Sequence, residues 1–141
     1  MPREMDLTPM DTVETQLPCS VDAPLLARAF LRTTLDTWKL DGFGEITELL
    51  ASELVANVVV HVGRPMTLRI TRGPASIRVD VDDASSNLPE LRHPAIDEEH
   101  GRGVLFVSEM ANDWGAERNE RGKTVWFELD TSTATAEAHE R

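Results

Sequence analysis

Cysteine and long apolar segments are nearly absent from this sequence, and each absence excludes a class of protein. Cys19 is the only cysteine among 141 residues, so an intrachain disulfide is impossible and a reducing cytosol is the expected compartment. The first residues, 1–6, lack the apolar core of a signal peptide. No segment approaches the about 18 apolar residues that a membrane span needs. We therefore expect a soluble, cytoplasmic protein with no membrane contact.

Positive charge is also scarce. The chain has 14 Lys and Arg residues against 25 Asp and Glu residues, which gives a net charge of −11. Because binding to a phosphate backbone needs a basic surface, we expect no direct contact with nucleic acid. A small nucleotide is not excluded, since it needs only a local pocket, and a protein partner is expected to carry a basic patch. The length and the 40% hydrophobic content suffice for one domain with a core.

Hydrophobic periodicity predicts the elements of that domain. Alternation predicts strands over 12–17, 66–72, 76–83, 114–118 and 124–129, and a helical period predicts helices over 23 to about 39, 45–62 and 104–111. Short turns between strands favour a mixed, mostly antiparallel sheet, and helices grouped in sequence favour covering one face. The predicted fold is an α+β, two-layer α/β sandwich over residues 11–130, with disordered ends at 1–10 and 131–141.

Polar residues interrupt the apolar side of the helix at 45–62. Glu53, Asn57 and His61 follow one another at intervals of four residues, so they lie along one line of the helix. The apolar residues predicted to share this arc are Ile46, Leu49, Leu50, Leu54 and Val60. Buried polar groups without partners cost about 1–3 kcal/mol each, so these three are either paired internally or bind something polar. The Asn oxygen suits Mg²⁺ and the carboxylate can act on a hydroxyl, whereas His61 is interpreted as structural.

Asp83 ends the strand at 76–83 and has the parity of the apolar residues Ile77, Val79 and Val81, so its side chain should face the core. It is either a turn residue that ends the strand or a buried acceptor for an amino group, such as the exocyclic nitrogen of a purine. The stretch 84–100 that follows has no periodic pattern, and such a long connection is usually functional or disordered.

Two glycine motifs complete the candidate features. Gly101-Arg102-Gly103 precedes a predicted helix, where backbone N–H groups and the helix dipole can approach a phosphate, although alone the motif is only a flexible helix entrance. Gly122-Lys-Thr124 leads into a strand and not a helix, which excludes a P-loop. Thr124 either offers its hydroxyl at the site or is present only because threonine favours strands.

The order of these motifs resembles the Bergerat-fold ATP-binding domain of the GHKL superfamily, which gyrase, histidine kinases and heat-shock chaperones share. Three segments most resemble the small stand-alone anti-sigma factor serine/threonine kinases of bacterial partner-switching systems. They read Ser-Glu-Leu-Val-Ala-Asn-Val-Val-Val-His, Gly-Arg-Gly-Val and Gly-Lys-Thr-Val-Trp. The resemblance extends from about residue 13 to residue 129.

The resemblance implies ATP and Mg²⁺ as cofactors and assigns the site residues. Glu53 matches the catalytic carboxylate that acts on the attacking hydroxyl, and Asn57 matches the Mg²⁺ ligand. Asp83 matches the adenine-reading aspartate, and residues 84–100 match the ATP lid. The remaining nucleotide-binding positions it implies are Gly101, Arg102 and Gly103 in the phosphate-proximal loop and Thr124 beside the nucleotide.

The resemblance also implies partners. They are a sigma factor, which the kinase binds, and an anti-anti-sigma STAS protein whose serine or threonine receives the phosphoryl group; the kinase itself is expected to be a homodimer. One motif departs from the family pattern, because the Asp-x-Gly-x-Gly box reads Asp83-Ala-Ser-Ser-Asn87. Both glycines, which allow close backbone approach, are replaced. A non-catalytic module, with or without bound nucleotide, therefore stays open as the alternative to a kinase.

Overall fold

The computed structural model describes residues 11–85 and 107–132. Its elements in chain order are β1 (Asp11–Leu17), α1 (Ala23–Thr37), a 3-10 turn (Asp41–Phe43), α2 (Gly44–His61), β2 (Met66–Arg72), β3 (Ser76–Asp83), β4 (Asp113–Asn119) and β5 (Gly122–Asp130). Residues 107–110 are also helical. The predicted α+β sandwich is confirmed. No helix in the described ranges is long and apolar enough to cross a membrane.

The five strands form one sheet in the order β1-β2-β3-β5-β4. Every neighbouring pair is antiparallel, so this sheet contains none of the parallel pairing that a mixed sheet would have. Two of the four pairs, β2–β3 and β4–β5, are joined by turns too short for a crossover, so these pairs can only be antiparallel. The register sets Asp83 opposite Lys123 and Asp82 opposite Thr124.

The core lies between one face of the sheet and the two helices. Alternate residues of β2, β3 and β5 are buried on that face, and α1 and α2 pack against each other above it. The largest fully buried side chains include Phe127, Leu31, Leu35, Leu50, Leu68, Ile70 and Ile77. The opposite face of the sheet carries mostly polar side chains, as expected for an antiparallel sheet covered on one side.

The buried side of α2 is rotated from the side that periodicity predicted. Its buried residues include Thr47, Ala51, Leu54, Val55 and Val58, whereas Val60 is 55% exposed. The prediction that Glu53, Asn57 and His61 lie within the buried stripe was wrong: the first two are half-buried and His61 is exposed. The reason is that α2 has apolar residues on most sides, so its neighbours, and not its own period, decide which side is covered.

The C-terminal end of α2 is brought to the end of β3. Gly63, at a φ of 72°, donates its N–H to the carbonyl of Val58 at 3.1 Å and ends the helix. A few residues later the chain enters β2, where Thr67 pairs with Asp82. The second half of α2 and the end of β3 therefore occupy the same end of the sandwich.

Several predictions fall outside the described residues: the disordered N-terminus at 1–10, most of the lid (86–100), the loop Gly101-Arg102-Gly103, and the tail from 133. Thr131 and Ser132, which the prediction assigned to the tail, are described. The N–H of Thr131 donates to the carbonyl of Ala75 at 3.0 Å, which bonds the residue after β5 to the turn between β2 and β3.

Candidate functional site

Asp83 has a buried carboxylate at the end of β3. Its side chain has no exposed surface, which confirms the predicted orientation toward the core. Oδ1 accepts hydrogen bonds from the N–H of Ser85 at 2.7 Å and from Nζ of Lys123 at 3.0 Å. Oδ2 lies 2.9 Å from the same Nζ but without the alignment of a hydrogen bond, and it has no hydrogen-bond partner. The charge of Oδ2 is thus compensated by the ammonium, but this oxygen receives no directed hydrogen bond and could accept one from a ligand.

Lys123 faces Asp83 because β5 runs close beside β3. The two residues are direct cross-strand partners, and the Lys123 side chain is only 10% exposed. The close approach depends on Gly122, since a Cβ on Gly122 would lie 2.1 Å from the carbonyl oxygen of Asp83. A glycine is therefore required where the turn brings β5 alongside the end of β3.

Thr124 lies on the other face of the sheet. Its hydroxyl donates to Oδ1 of Asp82 at 2.7 Å and accepts from Nδ2 of Asn119 at 3.2 Å. Asp82 is also paired with Arg69. Burial lowers the pKa of Arg69, but hydrogen bonds and charges from Asp82, Glu14 and nearby Asp80 outweigh it and raise that pKa overall. Thr124 thus belongs to a charged network on the solvent side, and the structure does not bring its side chain to Asp83.

The cross-strand position beside Asp83 belongs to Lys123, which the sequence interpretation missed. A signal for it exists: counting back in steps of two from the buried residues Leu129, Phe127 and Val125 reaches Lys123. The neighbouring Thr124 has the opposite parity. A shift of one residue along a strand moves a side chain to the other face, which separates the two candidates completely.

Glu53 and Asn57 lie together on one flank of α2. At 100° per residue they are about 140° and 180° around the helix from Glu48, which faces α1 through its bond with Arg32. Both are half-buried. Within the described ranges neither side chain makes a hydrogen bond or an ion pair, so a carboxylate and an amide are available one helical turn apart. His61 is exposed and engaged in a contact of its own.

The donor set is compatible with a magnesium ion held mainly by phosphate oxygens. Such an ion takes only one or two protein oxygens and keeps water or phosphate in its other positions. Asn57 offers one unpaired amide oxygen at a half-buried position. Among the described residues there is no group of three His, Cys, Asp or Glu side chains that could hold a metal ion unaided.

A cavity of about 480 Å³ opens at the end of the sheet where β3 stops. It is lined by Gln16, Pro65, Met66, Thr67, Asp82, Asp83, Ala84, Asn119, Glu120 and Arg121. Glu53 and Asn57 are not part of its lining. Lys123 is not part of the lining either, and Thr67 and Asp82 have the parity of the solvent face. The cavity therefore opens at the sheet end on the side of Asp82, and the Asp83 carboxylate is covered from it.

The α+β sandwich, the buried Asp83 at one sheet end, and the unpaired Glu53 and Asn57 on the covering helix are compatible with a nucleotide-binding domain. The family model for the histidine kinase-like ATPase domain matches residues 23–129, so the chain belongs to that family. Membership of this family supports ATP as the ligand of the domain. No curated protein matches the chain significantly in sequence.

Proposed function

We propose that the protein is an ATP- and Mg²⁺-dependent serine/threonine protein kinase. In this proposal it binds a sigma factor and phosphorylates an anti-anti-sigma STAS partner. Membership of the histidine kinase-like ATPase family supports ATP binding and a kinase or ATPase activity. The observation that carries the finer proposal is the unpaired Glu53–Asn57 couple on α2, because a free carboxylate beside a free amide is what transfer to a hydroxyl requires.

Each residue has a role that its chemistry suits. Asp83 accepts the amino group of adenine, and the amide oxygen of Asn57 holds Mg²⁺. The bound ion supplies charge neutralisation at the phosphates. Glu53 orients the serine or threonine hydroxyl of the partner and accepts its proton. Gly101, Arg102 and Gly103 are proposed to contact the phosphates. Thr124 has no role in this proposal, since its hydroxyl is bonded to Asp82 on the other face of the sheet.

The proposed partners follow from the sequence resemblance and from charge. With a net charge of −11, the protein is suited to a sigma factor or STAS protein that presents a basic patch. A homodimer and a cytoplasmic location belong to the same proposal.

A non-catalytic interaction module of the same kind of pathway is the second candidate. The Lys123–Asp83 ion pair favours it, because Lys123 already bonds one oxygen of the carboxylate that would read adenine. The replacement of the two box glycines by Ser85 and Asn87 points the same way.

The kinase proposal is tested with the variant Glu53→Gln. The assay follows labelled γ-phosphate from ATP to a purified STAS-domain protein that co-purifies with the chain. We expect the rate to fall by about 10²–10⁴-fold, the usual contribution of a general base. Affinity for ADP should change by less than about twofold, since Glu53 is not a nucleotide ligand in this proposal.

Glu45→Gln is the matched control, because Glu45 is an exposed glutamate in the first turn of the same helix. It should transfer phosphate at the wild-type rate. Transfer by Glu53→Gln at the wild-type rate would remove Glu53 from the mechanism. ATP binding without transfer to any STAS protein would favour the interaction module, and no calorimetric heat at millimolar ATP would end the nucleotide proposal altogether.

A further inference from the structure

We propose that Lys123 reads the nucleobase together with Asp83: its ammonium donates to the ring nitrogen next to the amino group that Asp83 accepts. The inference rests on the proposed nucleotide site and adds a second recognition residue to it. Lys123 becomes a residue that sets base specificity, and not only a counter-ion for Asp83.

The hydrogen-bond inventory of the pair is the first support. The Lys123 ammonium carries three N–H donors, and the only acceptor that it bonds within residues 11–85 and 107–132 is Oδ1 of Asp83. On the carboxylate, Oδ2 is buried without a hydrogen bond. This oxygen lies 2.9 Å from the ammonium nitrogen in an ion-pair contact, so the buried couple has an acceptor without a directed hydrogen bond beside an ammonium that makes only one. Groups of this kind are normally satisfied in a folded protein, so the couple is incomplete without a ligand.

The charge of the pair is the second support. An isolated buried carboxylate is costly to bury against a flat apolar base, because its charge loses the surrounding water. Lys123, with its side chain only 10% exposed, neutralises that charge before any ligand arrives. A neutral donor–acceptor couple can then be covered by a nucleobase without leaving an unpaired charge inside the protein.

The geometry of the couple selects the ligand. One free acceptor next to a donor is complementary to a base that offers an amino donor beside a ring-nitrogen acceptor, as the N6 and N1 positions of adenine do. Guanine offers two adjacent N–H donors beside its carbonyl, and the single free oxygen of Asp83 leaves one of them without a partner. The couple should therefore favour adenine over guanine, with Lys123 reading N1 and Asp83 reading the amino group.

Calorimetry with three diphosphates tests this on the full-length protein: ADP, 1-deaza-ADP, which lacks the N1 acceptor, and purine riboside diphosphate, which lacks the amino group. For the wild type we expect 1-deaza-ADP to bind about tenfold more weakly than ADP, or weaker still, as for the loss of a hydrogen bond from a charged donor. In Lys123→Met that penalty should disappear, while the penalty for removing the amino group should persist.

Lys39→Met is the matched control, because Lys39 is exposed and is the only other lysine of the chain. It should keep the wild-type penalties. If Lys123→Met does not fold, the wild-type comparison of ADP with 1-deaza-ADP still decides, since equal binding of the two excludes a donor at N1. Loss of the 1-deaza penalty in Lys123→Met supports the inference.

Two results would overturn the inference while leaving the nucleotide site intact. One is an equal penalty for 1-deaza-ADP in the wild type and in Lys123→Met, which would make Lys123 a structural counter-ion. The other is equal binding of ADP and 1-deaza-ADP by the wild type. Failure of the wild type to bind ADP at all is a different outcome, and it would remove the nucleotide proposal and this inference together.

Discussion

Glu48 on α2 and Asp83 on β3 are both buried carboxylates that face a cation. Only in Glu48 does each carboxylate oxygen accept a hydrogen bond. Arg32 binds Glu48 through two nitrogens, at 3.1 and 2.8 Å, one to each carboxylate oxygen. Asp83 receives both of its hydrogen bonds on Oδ1, and its Oδ2 has none. The cations differ too, because Arg32 is 62% exposed and Lys123 only 10%.

The difference separates a structural ion pair from a candidate ligand site. A bidentate arginine satisfies both carboxylate oxygens and keeps its remaining donors in water. The hydrogen bond to Glu48 and the charge of Glu48 raise the pKa of Arg32, so the guanidinium remains charged. Lysine is a single point of charge on a flexible stem, so it leaves one oxygen of Asp83 without a directed partner. Burial of a carboxylate thus indicates a site only when its hydrogen bonds are incomplete.

Replacing the acidic residue of each pair should have the largest effect on the free energy of unfolding. The two losses should also be very different in size. We expect Asp83→Asn to lower the free energy of unfolding by about 3–5 kcal/mol, since Lys123 would be left as a buried unpaired charge. Glu48→Gln should cost only about 1 kcal/mol, because the exposed Arg32 can turn to solvent. Urea denaturation of both variants measures the difference.

The double variant Asp83→Asn/Lys123→Met is the control for that measurement. Removing both charges should recover most of the lost stability, as it does when buried ion pairs are replaced by neutral groups. Equal losses for Asp83→Asn and Glu48→Gln would mean that the two pairs are energetically alike, and the distinction drawn from their hydrogen bonds would then fail.

The backbone around Asp83 should be the next most sensitive feature. Gly122→Ala is expected to cost about 2–4 kcal/mol, because the new Cβ would overlap the carbonyl oxygen of Asp83 and force β5 away from β3. Gly63→Ala is the matched control: Gly63 also has a positive φ, but a Cβ there would meet nothing within 4 Å.

We expect Gly63→Ala to lower the free energy of unfolding by about 1–2 kcal/mol, because a residue with a side chain is strained in the left-handed conformation. Thermal unfolding of the two variants compares them directly. If Gly122→Ala is no worse than Gly63→Ala, the close approach of β5 to Asp83 is not a tight constraint on the fold.

The smallest effect is expected at Thr124, the neighbour of Lys123 on the opposite face. Thr124→Val should lower the free energy of unfolding by about 1 kcal/mol through the lost hydrogen bond to Asp82. Its affinity for ADP should change by less than about twofold, since the hydroxyl points away from Asp83. A large loss of ADP affinity in this variant would return Thr124 to the nucleotide site, as the sequence first suggested.

Much of the fold follows from local pattern. The bounds of β2 and β3 match the prediction to the residue, because strict alternation is bounded by Pro65 on one side and by Gly73 and Pro74 between them. The start of α1 at Ala23 was also predicted, with Pro24 in its first turn. These features depend on neighbours in the sequence, which is why they can be read without a structure.

The buried side of α2 did not follow from its pattern. The helix has apolar residues on most sides, so a period of 3.6 residues gives no unique stripe. Two contacts with α1 decide which flank of α2 is covered. Ser52 bonds Arg28, which is 24 positions earlier in the chain, and Glu48 bonds Arg32, which is 16 positions earlier. Glu53 and Asn57 consequently lie at the edge of the buried surface and not within it.

The sequence by itself determined that Asp83 ends a strand on the core side and that Glu53 and Asn57 lie along one line of a helix, since both results need only the periods of strand and helix. Only the tertiary structure decided what surrounds them. Asp83 acquires Lys123 from 40 residues away, and Thr124, one residue further, turns to the other face. Which oxygen of a buried carboxylate lacks a donor depends on the strand placed beside it, and that pairing is a property of the assembled sheet.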